Sequence, residues 1–291
     1  MIYQFYRYDP LLAPAIIALV LFFGSTTIHA YQLSRTRAWY MIPLLVGGMS
    51  ITSTPRTSQL IAVETIGYIG RIISINNQTS LPSFVLQSTL IVLAPAFFAA
   101  SVYMILGRVI VFINSPQLSI IPHRRLTTIF VLGDVFSFIV QGSGAGLMSA
   151  GSSNSRNTGS LIIVGGLVIQ LISFGVFFIA LIVFDVRCRR QSLSKSIVFR
   201  NENTSLHWHT VVTALYAAST LISIRCVFRA IEFATGFDGY LQGHEVFFYV
   251  FDALPMAATM IIFNVVVPGY ALMGEQRELE DVPMTLGVGR Y

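Results

Sequence analysis

Apolar runs long enough to cross a membrane recur from one end of this 291-residue chain to the other. Hydrophobic residues make up 54% of the sequence and charged residues only 11%, whereas a soluble domain carries about 25% charged residues. A membrane-spanning helix needs about 20 mainly apolar residues in succession. We therefore predict an all-α integral membrane protein with seven transmembrane helices. The predicted spans are residues 11–31, 39–49 joined to 63–75, 84–104, 126–149, 161–184, 209–233 and 246–267.

The second predicted span is interrupted by a polar stretch. Residues 39–49 and 63–75 are each too short to cross a membrane, although joined directly they make one span of ordinary length. Residues 50–62 between them contain Pro55 and many hydroxyl side chains. This stretch is either a re-entrant loop or unspliced sequence. We favour unspliced sequence, because backbone groups left unpaired in lipid are very costly.

The distribution of basic residues predicts how the chain crosses the membrane. Most of them lie in the loops after the first, third and fifth spans and in the tail. Because positively charged loops stay in the cytosol, we predict that the amino terminus is outside and the carboxyl terminus is cytosolic. The sequon Asn77-Gln78-Thr79 then falls in an outer loop, which is weak support. Residues 1–270 form a single seven-helix membrane domain in this interpretation, and residues 271–291 form a short cytosolic tail.

The first apolar run has a second interpretation. Ile28-His29-Ala30 loosely resembles the cleavage site of a signal peptide. The run is long, however, and Asp9 offsets the charge of Arg7 in front of it. We therefore favour a first helix that is retained in the protein.

Composition and motifs argue against several function classes. The net charge of +5 does not indicate nucleic-acid binding, because the basic residues lie between apolar runs, where they determine topology. Two cysteines, Cys188 and Cys226, make neither a disulfide framework nor a metal-binding pair. The sequence has no phosphate-binding loop of the form G-x-x-x-x-G-K-[ST], so we do not expect the chain to hydrolyse ATP. We predict no cofactor, no bound metal and no enzymatic activity.

Charged residues are concentrated near the end of the chain, between residues 223 and 256. On a helix, Arg225, Arg229 and Glu232 share one face, with spacing i, i+4, i+7. Glu245 and Asp252 do the same on the last predicted helix, with Tyr249 between them. An ionisable side chain in mid-membrane costs about 2.5–3.5 kcal/mol on insertion scales, so such residues pair with one another or line a cavity. We predict that these two helices pack together around the functional site.

Polar residues also interrupt two other predicted helices. Glu64 and Tyr68 stand at i, i+4 with Arg71 at i+7, and Asp134 and Gln141 stand at i, i+7. Stripes on several helices predict a shared polar cavity. The candidate substrate-binding residues are Glu64, Tyr68, Asp134, Gln141, Arg225, Arg229, Glu232, Glu245, Tyr249 and Asp252.

Several short motifs carry a resemblance to a known family. The motifs are Tyr6-x-Tyr8-x-Pro10, Glu64-x-x-Gly67-Tyr68-x-x-Arg71, Ala94-Pro95-Ala96 before Gly107-Arg108, Asp134 with Gln141-Gly142-x-Gly144-x-Gly146, Arg225-x-x-Phe228-Arg229-x-x-Glu232, and Gly239-Tyr240 before His244-Glu245-x-x-x-Tyr249-x-x-Asp252-x-x-Pro255-Met256. With these motifs the chain resembles the fungal lipid-translocating exporters, the RTA-like proteins named for resistance to aminocholesterol and to sphingoid long-chain bases. Residues 50–62 depart from the family pattern, in which the second helix runs directly into the Glu-x-x-Gly-Tyr motif.

The resemblance implies a role in lipid tolerance. It implies a multi-pass plasma-membrane protein, with other endomembranes as the alternative, that moves amphipathic lipids such as sphingoid bases toward the outer leaflet. The implied partners are membrane lipids and an amphipathic lipid substrate. We expect no nucleic-acid partner, from the position of the basic residues, and protein partners stay unknown.

Three other interpretations of the sequence stay open. A seven-helix sensor that acts indirectly on lipid tolerance fits the same topology, since fold does not determine function. A membrane metal-dependent lipid hydrolase needs ligands at one depth, whereas the histidines fall at different helix ends. The histidines are His29, His123, His207, His209 and His244. Finally, the buried charges could serve only as contacts that hold the helices together.

Overall fold

The protein is a bundle of long helices in the parts of the chain that the structure, a computed structural model, describes. These parts are residues 12–36, 63–76, 81–113, 116–149, 153–194, 208–235 and 245–268. The helices are α1 (Leu12–Thr36), α2 (Val63–Asn76), α3 (Leu81–Phe112), α4 (His123–Ser149), α5 (Ser153–Ser194), α6 (Trp208–Ala234) and α7 (Glu245–Val265). A short 3₁₀ turn, Pro116–Leu118, lies between α3 and α4. These residues contain no strand, and the predicted all-α class is confirmed.

Six of the described helices, all except α2, are long and apolar enough to cross a membrane. Residues 39–49, which would complete the second predicted span, and the suspected insertion 50–62 lie outside the described residues. The seven-helix count and the orientation of the termini therefore stay predictions. Helix α2 covers the second half of that span, with 14 residues from Val63 to Asn76.

Large apolar side chains cover the outer faces of the helices. Ile17 and Val20 on α1, Leu161 on α5 and Val265 on α7 are all more than half exposed. A soluble monomer rarely exposes such continuous apolar surface. Contact with lipid explains it, because hydrocarbon chains solvate these side chains as well as a protein interior does.

Helix α5 begins at Ser153, well before the predicted start near residue 161, because its first turns pack closely against α4. Gly144 and Gly159 make this contact, and a Cβ atom on Gly144 would lie only 2.7 Å from the Gly159 carbonyl oxygen. The Ser160 hydroxyl also donates a hydrogen bond to the Phe233 carbonyl of α6 at 3.3 Å. These contacts stabilise residues 153–160, a polar segment that contains glycine, as the first turns of α5.

The same helix continues to Ser194, although the sequence predicts that the span ends near residue 184. Asp185 is buried, and its carboxylate pairs with Arg189 one turn later at 3.0 Å. It also accepts a hydrogen bond from the Tyr216 hydroxyl of α6 at 3.2 Å. Oppositely charged residues at i, i+4 support a helix, so the start of the predicted basic loop is helical.

The apolar core lies where α3, α4 and α5 meet. Tyr103 of α3 contacts Phe130 of α4 and two rings of α5, Phe174 and Phe177, with ring centroids 4.5–6.0 Å apart. All four side chains are almost fully buried. Aromatic contacts of this kind add about 0.5–1.5 kcal/mol each beyond area burial. This cluster fixes the three middle helices relative to one another.

A polar contact joins α1 to α7 near the end of both helices. His29 is buried, and its Nε2 donates a hydrogen bond to the Met260 carbonyl at 3.1 Å. The Gln32 amide donates to the Asn264 carbonyl at 2.8 Å, and the Asn264 amide donates to the Ser25 hydroxyl at 2.6 Å. The first and last helices are therefore neighbours.

Candidate functional site

The charged stripes of α6 and α7 face each other. Asp252 of α7, which is 2% exposed, forms an ion pair with Arg225 at 2.7 Å and another with Arg229 at 3.1 Å, both from α6. Arg229 also donates to Glu232 one turn later, at 2.8 Å. The predicted contact between these two helices is confirmed.

A second ion pair brings α2 to the same part of α7. Arg71 donates to Glu245 at 2.6 Å, and both side chains are buried. The Arg71 Nε also donates to the Tyr249 hydroxyl at 3.2 Å, and that hydroxyl donates to Glu245 at 3.3 Å. Arg71, Glu245 and Tyr249 thus provide hydrogen-bond partners for one another deep in the bundle.

The ring of Phe248 lies against guanidinium groups of both ion pairs. Its centroid is 4.7 Å from the Arg71 guanidinium carbon and 5.4 Å from that of Arg229. An arginine within about 6 Å of an aromatic ring is attracted by the ring's electron density. Phe248 therefore joins the pair Arg71–Glu245 to the group around Asp252.

A wide helical turn in α7 positions these residues. Tyr249–Ala253 form a π-helix, in which the Leu254 N–H donates to the Tyr249 carbonyl oxygen, five residues earlier. Pro255 follows directly. Because proline lacks an N–H and its ring clashes with the carbonyl four residues earlier, it disfavours regular α-helix at this point. Such π turns occur frequently at functional sites.

We call this group the ionic cluster. Its members are Arg71, Arg225, Arg229, Glu232, Glu245 and Asp252. Three arginines balance three carboxylates, so the cluster as described is neutral overall. Removing one partner from a buried ion pair typically costs about 3–5 kcal/mol, because the remaining charge is left in a poorly solvating environment. A charged group that enters from outside can replace one member of an ion pair in the cluster. The replacement lowers the cost of burying that group, because it gains an oppositely charged partner.

Asp134 lies in a different environment. Its side chain is 3% exposed and accepts a hydrogen bond from the Tyr103 hydroxyl at 3.1 Å, beside the aromatic core. Gln141, two turns further along α4, donates to Ser137 at 2.8 Å and to Gln170 of α5 at 3.2 Å. These two candidates line the contacts of α4 with its neighbours.

Two candidates lie on α2, and the structure describes the side chain of one of them. Tyr68 is buried and stacks on Phe22 of α1, with ring centroids 5.4 Å apart. Glu64 lies on the first turn of α2, but its side chain is outside the described part of the molecule. The structure thus brings five candidates into the ionic cluster and one, Tyr249, into contact with it.

Two members of the site were not among the candidates. Arg71 belongs to the stripe with Glu64 and Tyr68, so its spacing was a usable signal. Phe248 gave no signal, because one phenylalanine in an apolar helix does not stand out. Among the residues described, no three His, Cys, Asp or Glu side chains are grouped as metal ligands.

Comparison with known proteins assigns the chain to a family. The sequence model of the family described as RTA1 like protein matches residues 60–275. The chain belongs to the RTA1-like family. The match includes every ionic-cluster residue and supports a multi-pass membrane protein.

Three relatives of this RTA1-like protein come from the yeast Saccharomyces cerevisiae. The protein named protoporphyrin uptake protein 1 is 38% identical, over 89% of this chain and 90% of its own length. Protein RTM1 is 34% identical, over 90% and 91% of the two chains. The sphingoid long-chain base transporter RSB1 is 28% identical, over 88% and 71%. No solved structure matches the chain.

Proposed function

We propose that this RTA1-like protein moves an amphipathic lipid with a cationic amine head group, such as a sphingoid long-chain base, across the membrane. The observation that carries the proposal is the ionic cluster, in which carboxylates from α6 and α7 are held deep in the bundle by arginines from α2 and α6. A relative named as a sphingoid long-chain base transporter supports the substrate class.

The head group enters the cluster by exchange of partners. Glu245 is held by Arg71 and Tyr249 in the described state. An entering ammonium group competes with Arg71 for Glu245, and Arg71 keeps its contact with the Phe248 ring. Exchange of one cation for another leaves the carboxylate paired throughout, so the cost of the exchange falls on the displaced arginine, which lies beside the Phe248 ring and the Tyr249 hydroxyl. The lipid tail stays in the hydrocarbon along the apolar outer faces of the helices.

The position of the cluster suits delivery to the outer leaflet. It is formed by the second half of α2, the second half of α6 and the beginning of α7. With the amino terminus outside, these three segments lie in the outer half of the membrane. We place the protein in the plasma membrane, where removal of a toxic lipid from the inner leaflet gives resistance to it.

A second candidate substrate is an anionic tetrapyrrole. The relative named protoporphyrin uptake protein 1 is 38% identical, compared with 28% for the sphingoid base transporter. The cluster contains three buried or nearly buried arginines, which bind carboxylates well because of their planar, forked donors. In this case Arg71, Arg225 and Arg229 would exchange their protein carboxylates for propionate groups of the substrate.

The experiment is a transport assay in proteoliposomes. Wild-type protein is compared with Glu245→Gln/Asp252→Asn, and movement of a fluorescently labelled long-chain base and of protoporphyrin IX is followed in separate samples. Asp185→Asn is the matched control, because it removes a buried carboxylate paired with an arginine outside the ionic cluster. Product masses are measured in the same samples.

The outcomes separate the candidate functions. We expect wild type and Asp185→Asn to move the long-chain base, and the double variant to lose this movement. Loss of the double variant from the membrane would instead favour a role of the two carboxylates in holding the helices together. Movement of protoporphyrin IX alone would favour the second candidate. An intact lipid that does not move would favour the sensor, and a cleaved lipid would favour the hydrolase.

A further inference from the structure

Asp134 differs from every other carboxylate side chain that the structure describes. Asp185, Glu232, Glu245 and Asp252 each form an ion pair with an arginine. Among the described residues Asp134 has no such partner, and its hydrogen bond comes from the neutral hydroxyl of Tyr103 at 3.1 Å. It is 3% exposed, in the middle of a membrane-spanning helix. An ionisable side chain at such a position is rare and marks a functional site unless it has a partner.

Closely packed aromatic rings surround Tyr103, the hydrogen-bond partner of Asp134. The neighbouring rings of Tyr103, Phe130 and Phe177 touch one another, with centroids 4.5–5.4 Å apart. These side chains are at most 3% exposed. A hard metal cation would need about six oxygen ligands, whereas the described hydrogen bond to Asp134 comes from a single hydroxyl. A proton needs no space and only one acceptor, so it is the ligand that fits.

The titratable groups around Asp134 are few among the described residues. Helix α3 contributes the Tyr103 hydroxyl, and α6 contributes the thiol of Cys226, which is near enough to interact electrostatically with both Asp134 and Tyr103. Helix α5 faces this part of α4 with the neutral side chains Gln170 and Ser173. None of these neighbours supplies a positive charge.

Cys226 also connects Asp134 with the ionic cluster. It is buried, follows Arg225 directly in the sequence and lies near both Asp134 and Asp252. Because charges are weakly screened inside a protein, a change in the charge of Asp134 alters the electric field at the arginine and carboxylate of the cluster. This gives a physical means by which a proton on Asp134 biases partner exchange in the cluster.

A line of hydrogen-bonding side chains leads away from Asp134 along α4. Ser137 lies one turn further on and donates to the Gly166 carbonyl at 2.8 Å, and it accepts from Gln141 at 2.8 Å. Gln141 in turn donates to Gln170 at 3.2 Å. The line follows the contact between α4 and α5, and its first member, Ser137, lies one turn from Asp134.

We propose that Asp134 is a proton-binding site that couples lipid movement to the proton gradient. The carboxyl takes up a proton from water on one side of the membrane and releases it to water on the other side during each transport cycle. This inference rests on the proposed transport function, because coupling requires a transported substrate.

Infrared spectroscopy tests the proton site without transport. Purified wild-type protein is titrated with acid and base, and the C=O stretch of protonated carboxyl groups is compared with that of Asp134→Asn. We expect a band that disappears as the pH rises and that is missing from Asp134→Asn at every pH. A band identical in both proteins overturns the proposal. If Asp134→Asn does not fold, Tyr103→Phe must move the pH at which the band disappears, and an unmoved band overturns the proposal as well.

Proteoliposomes that contain a pH-sensitive dye test the coupling. A labelled long-chain base is added to wild type, Asp134→Asn and Asp134→Glu, and the signal of protein-free vesicles is subtracted because the amine itself releases protons. We expect a pH change inside the vesicles with wild type and Asp134→Glu but not with Asp134→Asn. Lipid movement without a pH change in wild type, or an equal pH change in Asp134→Asn, overturns the coupling. Absence of any lipid movement in wild type instead removes the proposed function, and the infrared result then decides the proton site alone.

Discussion

Arg71 and Glu245 are 174 positions apart in the sequence, yet their side chains form a buried ion pair of 2.6 Å. The pair connects α2 to the beginning of α7, and the Phe248 ring connects it to Arg229 of α6. Helix α2 is therefore joined to the consecutive helices α6 and α7, which are distant from it in the sequence, in a region where unpaired charges are costly.

Breaking this ion pair on one side is expected to destabilise the protein strongly. Glu245→Gln leaves the Arg71 charge buried without its carboxylate, which costs about 3–5 kcal/mol. Arg71→Met combined with Glu245→Gln removes both charges and should recover part of that loss. The thermal unfolding midpoint of each variant in detergent measures the effect. A double variant less stable than either single variant would contradict the ion pair.

Reversing the pair separates a structural role from substrate binding. Arg71→Glu combined with Glu245→Arg keeps two opposite charges in contact, so we expect the thermal midpoint to recover most of the loss seen in either single variant. Movement of the long-chain base should stay absent, because the carboxylate then lies on α2 and no longer on α7. Recovery of both stability and movement would show that the pair only holds the helices together.

Phe248 is expected to matter more than a neighbouring phenylalanine. Phe248→Leu keeps an apolar side chain but removes the ring that faces Arg71 and Arg229, with a loss of about 0.5–2 kcal/mol. Phe251→Leu is the matched control, because that ring stacks on Phe228 instead. Both variants are compared by thermal midpoint and by initial rate of lipid movement. Equal rates in the two variants would remove the proposed role of the Phe248 ring.

The close contact of α4 with α5 gives a steric prediction. A methyl group on Gly144 would lie 2.7 Å from the Gly159 carbonyl oxygen, whereas one on Gly142 meets no atom within 4 Å. Overfilling a close contact costs about 1–3 kcal/mol. We expect Gly144→Ala to lower the thermal midpoint and Gly142→Ala to leave it unchanged or raise it slightly. The contact would be wrong if the two variants behaved alike.

Pro255 is expected to maintain the wide turn that positions Asp252. Pro255→Ala restores a backbone N–H and permits regular α-helix through residues 249–253. The beginning of α7 would then rotate relative to its end and weaken the pairs of Asp252 with α6. We expect slower lipid movement with little loss of protein from the membrane. Unchanged movement would show that the turn does not depend on the proline.

The sequence predicted the charged face of α6 and that of α7, and it also predicted their contact. Spacing alone was enough, because residues at i, i+4 and i+7 share a helix face in any helix. It did not predict which arginine pairs with which carboxylate. Asp252 pairs with two arginines of α6, and Glu245 pairs with one arginine of α2. This pairing depends on the angles at which the helices cross and on the π turn before Pro255.

The start of α5 is a point at which the amino-acid composition led to a wrong prediction. Residues 153–160 are polar and rich in small side chains, which is typical of a loop, but glycine at 144 and at 159 lets two helices approach until backbone atoms touch. Loop composition and close helix contact use the same small residues. Only the position of the neighbouring helix decides between them.

The sequence by itself determined the class of this protein: an all-α membrane chain with charged helix faces, because the cost of polar groups in hydrocarbon permits few arrangements. Only the tertiary structure decided which charged side chains pair with one another. It brought Arg71 to Glu245, set Phe248 against two arginines and left Asp134 with a tyrosine hydroxyl. Which residues share a helix face depends only on their spacing in the sequence. Which residues form an ion pair depends on the distance between helices, and that distance depends on how all the side chains of the bundle pack.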